Sequence, residues 1–280
     1  GDYTPATGNV ISGAGTTNAG ADTVGADGAS VVGVVAGNSG ASLDDAATVS
    51  TQINGLFGKL TLNADGSYSY VRNPGSAGGG NDVFTYTVKD GDGDLAHTTL
   101  TISLGDATPT VSIPAAGGAD TTVYEKGLPV RGLESAGTGE MADGNAGNNS
   151  DASETTGGTI NFTSKDGVSA ITLGGHALTT VPQTFSDATG SLTAHYSYDA
   201  ATGIGSIVYA YTLADNTSGD NTSASFAVVI SDADGDAAPA GNLVISIVDD
   251  APIAAFDTDS IAAGDYTPAT GNVISGAGTT

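Results

Sequence analysis

Apolar and polar residues alternate one by one over short stretches of this chain, the period of a strand with one buried face. Residues 67–71 alternate as Ser-Tyr-Ser-Tyr-Val, and the pattern returns at 83–88, 100–104, 194–198 and 206–211. Helical periodicity is nearly absent. Ala64-Asp65-Gly66-Ser67 is a hairpin signal between strands predicted over 59–63 and 68–72. Short strands with turns every ten or so residues indicate an all-β chain of antiparallel sandwiches. Tyr68, Tyr70, Phe84, Tyr86, Tyr196, Tyr198, Tyr209 and Phe226 fall on alternating positions and read as packing. The 43 glycines among 280 residues suit long loops and bends rather than helices.

Two repeats organise these strands. Residues 1–17 (GDYTPATGNVISGAGTT) return letter for letter as residues 264–280, a spacing of 263 residues. A perfect copy implies a cut from a tandem array, built for length or to multiply one surface. A weaker repeat lies inside it: FTYTVKDGDGD from Phe84 lines up with FAVVISDADGD from Phe226, so Asp232 follows Asp90 by 142 residues. Each motif is followed by one more apolar strand and an acidic junction with proline. The reading is one domain over 1–106, a second over 107–250, and the start of another repeat over 251–280. The first domain lacks its own first strand, because the matching stretch, 251–263, sits at the other end. Residues 251–263 are expected either to hang loose or to be donated as a strand to another molecule.

Composition narrows the partners. With 31 acidic and 6 basic residues the formal charge is −25, which repels nucleic acid and anionic membranes and attracts cations. No apolar run approaches the roughly 20 residues of a membrane-spanning helix, so no direct membrane insertion is expected. There is no cysteine, and bound metal is one other way to stiffen small exported domains.

The acids cluster. Asp90, Asp92 and Asp94, and again Asp232, Asp234 and Asp236, occupy alternate positions with glycine at a bend. A wrapping loop can turn such side chains toward one point. Carboxylates alone suit a hard cation such as Ca²⁺, not zinc or copper. No glutamate stands at the twelfth position, which excludes an EF-hand, and a solvated Asp/Gly turn is the other reading. The junction acids Asp106, Asp249 and Asp250 are expected to complete these sites. Glu125, from the following domain, is either a further ligand or an exposed strand residue. Asp22 and Asp27 form another acidic loop, either a metal loop or a plain turn. The glycine- and asparagine-rich run 134–154 is expected to be a long loop. Catalysis finds no motif: there is no G-x-S-x-G elbow, phosphate loop or H-E-x-x-H. His97, His176 and His195 are isolated from one another, and with no tryptophan an aromatic-lined cleft is not expected.

The stretch DVFTYTVKDGDGD from Asp82, the opening Gly8-Asn-Val-Ile, GKLTLNADGSYSY from Gly58 and VYEKGLP from Val123 resemble cadherin-like and bacterial immunoglobulin-like repeats. They are similar to those of giant repeats-in-toxin biofilm adhesins secreted by type I systems. The resemblance implies two tandem Ig-like/cadherin-like sandwiches in an elongated, calcium-stiffened rod at the bacterial cell surface. It implies neighbouring repeats as partners, no enzymatic activity, and the loop and linker aspartates as ligands. Ala233 and the insertion over 134–157 depart from the pattern. A glycan- or surface-ligand-binding module of a secreted protein is the alternative.

Overall fold

The computed structural model describes residues 3–17, 20–128, 152–249, 256–274 and 276–278. The regular structure of the described chain is almost entirely antiparallel β, with three short 3-10 turns at Ala46–Thr48, Ala119–Thr121 and Glu125–Gly127. Two hydrophobic cores form, one around Leu60, Tyr70 and Phe84, the other around Ile160, Tyr209 and Ile245. Each is enclosed by two sheets, as the period-two alternation predicts.

The first sandwich has strands β1 (Ala6–Asn9), β2 (Ala29–Ala36), β3 (Gln52–Asn54), β4 (Gly58–Leu62), β5 (Ser67–Arg72), β6 (Asn81–Asp90) and β7 (Leu95–Ser103). One sheet runs β1-β5-β4-β3 and the other β2-β6-β7. The predicted hairpin is β4–β5, with Leu60 opposite Tyr70 and Leu62 opposite Tyr68. Gly66 takes φ +82° at its turn, a conformation that favours glycine. Tyr70 packs edge-on against Phe84 at 6.2 Å.

The second sandwich has β8 (Thr110–Ser112), β9 (Thr122–Tyr124), β10 (Thr155–Thr163), β11 (Ala170–Leu173), β12 (His176–Ala177) and β13 (Gln183–Ser186). It continues with β14 (Gly190–Asp199), β15 (Ile204–Leu213), β16 (Asn221–Ser231) and β17 (Gly241–Val248). Its sheets run β13-β14-β15-β10-β8 and β12-β11-β16-β17-β9. The internal repeat survives in the pairing: β6 and β7 correspond to β16 and β17, and Phe84 faces Leu100 as Phe226 faces Leu243. The two sandwiches differ at one edge. β9 lies parallel to β17, with Val123 opposite Ile247, whereas among the described residues β7 pairs with β6 alone.

Residues 256–274 form no strand and are exposed almost throughout. The first part of the predicted donor segment, 251–255, and most of the predicted loop over 134–154 lie outside the described residues. Among the described residues no helix is long and apolar enough to cross a membrane.

Candidate metal centre

The two acidic loops fold alike. In each, the first aspartate donates its backbone N–H to the carbonyl of the last, Asp90 to Asp94 at 3.2 Å and Asp232 to Asp236 at 2.9 Å. In each, its Oδ1 accepts two backbone N–H groups, from Gly93 and Asp94 in the first loop and from Gly235 and Asp236 in the second. Gly93 and Gly235 adopt φ values of +108° and +109°. One turn therefore recurs at the same place in both sandwiches, and in each the three aspartates present oxygens within 4.8 Å of one another.

Their surroundings differ. The Asp90 loop is exposed beyond Asp90 itself, and Asp27 comes up against Gly91. Asp22 is occupied elsewhere, its Oδ2 accepting the Tyr86 hydroxyl at 2.9 Å. The Asp232 loop instead lies at the contact between the two sandwiches. Asp106, from the linker, and Asp166, from the turn between β10 and β11, join Asp234 with oxygens within 4.8 Å. Asp234 thus belongs to both groups, so five carboxylates converge from the linker and the second sandwich.

The first sandwich and the linker clamp this cluster. Arg72, at the end of β5, donates to Asp166 Oδ1 at 2.9 Å. The Ala107 N–H donates to Asp166 Oδ2 at 2.6 Å, and the Gly78 N–H to Asp234 Oδ2 at 2.8 Å. A Cβ on Gly78 would stand 2.2 Å from Asp166 Oδ2, so glycine is needed for this approach.

One buried carboxylate oxygen in the cluster has no hydrogen-bond partner. Asp232 is fully buried, and its Oδ2 is unpaired. Burial, and then the neighbouring Asp234 carboxylate, push its pKa up to about 6. Asp106 is also raised, by desolvation and then by the charges of Asp234, Asp236 and Asp166. Buried polar groups are normally paired, and an unpaired charge is expensive to bury. The donor set fits a hard divalent cation: every candidate ligand is a carboxylate oxygen, and oxygens on opposite sides of Ca²⁺ stand about 5 Å apart.

The structure regroups the expected ligands. Asp106 was expected to complete the Asp90 loop, and Asp249 with Asp250 the Asp232 loop. A single strand carries the chain one full sandwich length, so each loop and the linker after it lie at opposite ends. Asp106 meets the loop of the next sandwich instead. Asp249 meets Glu125 at the far end, where burial and then the Asp249 carboxylate raise the Glu125 pKa. Glu125 is not an exposed strand residue: it is 2% exposed, in a 3-10 turn. Its Oε1 accepts the Thr217 N–H and hydroxyl at 2.6 and 2.7 Å. Asp250 lies outside the described residues. Asp166 escaped the sequence reading, since Lys165-Asp166-Gly167 carries one acid and no motif.

Residues 5–106 match the bacterial cadherin-like domain family. No curated protein matches the chain. Among solved structures the chain is similar to zebrafish RET cadherin-like domains 1 to 4, at 13% identity and a TM-score of 0.25, covering 79% of this chain and 40% of that one. It is similar to mouse clustered PcdhgC3 EC1-3, at 11% identity and a TM-score of 0.25, covering 75% and 54%. A third is the Bacteroides ovatus mixed-linkage glucan utilization locus SGBP-B in complex with a mixed-linkage heptasaccharide, at 13% identity and a TM-score of 0.16, covering 66% and 33%. The chain thus spans less than two thirds of the length of each.

Proposed function

We propose that this chain is a non-enzymatic extender segment of a large bacterial cell-surface adhesin, with sandwich units at about 1–106 and 107–250. Ca²⁺ bound between the units fixes their relative position, and the resulting rod supports attachment and biofilm formation. The observation that carries this reading is the buried, unpaired Asp232 Oδ2 inside a carboxylate cluster that the linker and both sandwiches surround. The cadherin-like match over 5–106 supports an extracellular, adhesion-type module.

Asp106, Asp166, Asp232, Asp234 and Asp236 would hold the ion. Bound Ca²⁺ supplies positive charge that relieves the mutual repulsion of these groups. The protein's own part is positional. Arg72 and the Ala107 and Gly78 N–H groups orient Asp166 and Asp234. A ligand that binds only the docked, folded state stabilises it by mass action, by about 2.7 kcal/mol at a hundredfold excess over its Kd.

The test is calorimetric titration of the chelator-treated chain with Ca²⁺, alongside small-angle scattering. Binding is expected together with a stiffer particle and a higher melting temperature. Asp234→Asn, which touches both carboxylate groups, is expected to weaken binding at least tenfold. A titration without heat, with scattering unchanged by chelator, would remove the reading.

A further inference from the structure

One outer face of the second sandwich carries almost no charge. In the sheet β13-β14-β15-β10-β8, the side chains that point away from the core are nearly all serine, threonine or small apolar residues. Asp199, at the end of β14, is the one carboxylate among these outward positions, and no lysine, arginine or glutamate stands there. Its oxygens serve its own turn, accepting the Ala201 N–H at 2.9 Å and the Thr202 hydroxyl at 3.0 Å.

The face has a centre and a surround. β15 is its middle strand, and it sets Ile204 and Val208 in water at 60% and 41% exposure. Around them hydroxyls pair across the ladders: Ser197 with Ser206 at 3.0 Å, Thr155 with Thr212 at 3.0 Å, and Thr184 with Thr193 at 2.8 Å. An apolar centre, a polar surround and depletion of charge mark a protein–protein interface. Five strands about 4.8 Å apart, at about 3.3 Å per residue, present on the order of 700 Å². Two such faces together would bury about 1,400 Å², within the roughly 1,200–2,000 Å² of a specific interface. The opposite sheet is also uncharged on its outer face, but a hollow of about 380 Å³ at Ser223, Val244 and Ser246 interrupts it.

The chemistry of the face matches its own copy. A carboxylate only accepts hydrogen bonds, so an acidic face repels its double, whereas a hydroxyl both donates and accepts. At a formal charge of −25, two copies repel through their acidic loops and ends, and a neutral face escapes that cost. A polysaccharide shares the hydroxyl chemistry, but no tyrosine, phenylalanine or tryptophan points outward here to stack on a sugar ring. We infer that two copies of this chain pack face to face through this sheet, β15 against β15 about a two-fold axis. The small outward side chains permit the roughly 10 Å spacing of stacked sheets. The contact is isologous and closes as a pair, and it does not depend on the cation reading. Where units repeat along a chain, successive contacts form at high effective concentration, so weak pairs add up to a side-by-side bundle; that last step alone rests on the extender reading.

The experiment is sedimentation of the full chain over a wide concentration range, in chelator and at physiological salt, so that the cation site plays no part. Concentration-dependent dimerisation is expected, weakened at least tenfold by Val208→Asp. Val229→Asp, on the opposite sheet and equally exposed at 41%, is expected to dimerise as the parent does. The chain has no cysteine, so Val208→Cys and Val229→Cys each carry a single thiol. The first is expected to form an intermolecular disulfide at least tenfold faster, a readout that stands even where Val208→Asp fails to fold. A chain that stays monomeric up to millimolar concentration would overturn the inference, as would equal cross-linking rates in the two cysteine variants. So would a monomer that an insoluble neutral polysaccharide retains through Val208, which would assign the face to a glycan.

Discussion

Two buried aspartates show how the same side chain serves opposite purposes. Asp82 is almost fully buried and satisfied: its oxygens accept the Leu56 N–H, the Phe57 N–H and the Tyr70 hydroxyl at 2.6, 3.0 and 2.6 Å. It ties the β3–β4 turn to β6. Asp82→Ala would leave three donors without their acceptor, and we expect a loss of about 3 kcal/mol or more in urea unfolding of the first sandwich. Asp232 has no such set for its second oxygen, which is why it points to an ion and Asp82 does not. Glu125 is a third case. Desolvation raises its pKa most, the two Thr217 hydrogen bonds work against this, and Asp249 raises it further. An acid raised in the folded state stabilises the fold fully below its unfolded value, and that stability is lost as pH rises through the folded value. Glu125→Gln keeps the acceptor for Thr217 and removes the charge. In chelator it is expected to melt higher than the parent at pH 7, by about 2–4 °C for each kcal/mol relieved. The gap should close as pH falls below the usual glutamate range. A gap that is constant with pH would place the effect elsewhere.

At the scale of elements, the strands were legible because alternation and turn chemistry agree. The predicted 67–71 and 83–88 became β5 and β6, and the hairpin fell where Ala64-Asp65-Gly66 placed it. The acidic loops were legible for the same reason, since spacing two and a glycine bend are local features. What each loop faces was not legible. A nine-residue strand such as β7 spans about 30 Å, so adjacency in sequence through one strand means opposite ends in space. Asp166 enters the cluster through the β10–β11 turn and the docking of two sandwiches, neither of which leaves a trace in its neighbours. Gly167, beside it, shows how tight that docking is. It has φ +85°, and a Cβ there would stand 2.3 Å from the Gly75 carbonyl oxygen. Gly167→Ala is expected to spread the contact and lower Ca²⁺ affinity, while each sandwich keeps its own unfolding transition. Titration and denaturation of the same variant would check both halves.

Across the whole molecule, the duplicated seventeen residues make an internal control on context. Val10 is 5% exposed and Val273, its copy, 75%. Tyr3 donates its hydroxyl to the Ala200 carbonyl at 2.7 Å, while its copy Tyr266 is 96% exposed. The same letters are a strand when β5 and a core stand ready, and exposed coil without them. Local propensity is therefore subordinate here to packing. The parallel pairing of β9 with β17 has a mechanical consequence. The chain passes the Asp106 end on its way to β9 and leaves from β17 at the Asp249 end. A pull on its two ends drags these neighbouring strands lengthwise past each other. Their hydrogen bonds then bear load together in shear instead of opening one by one like a zipper. Rupture under tension follows the rate of unfolding rather than the equilibrium, so a unit built this way can resist a pull on its ends with only ordinary thermodynamic stability.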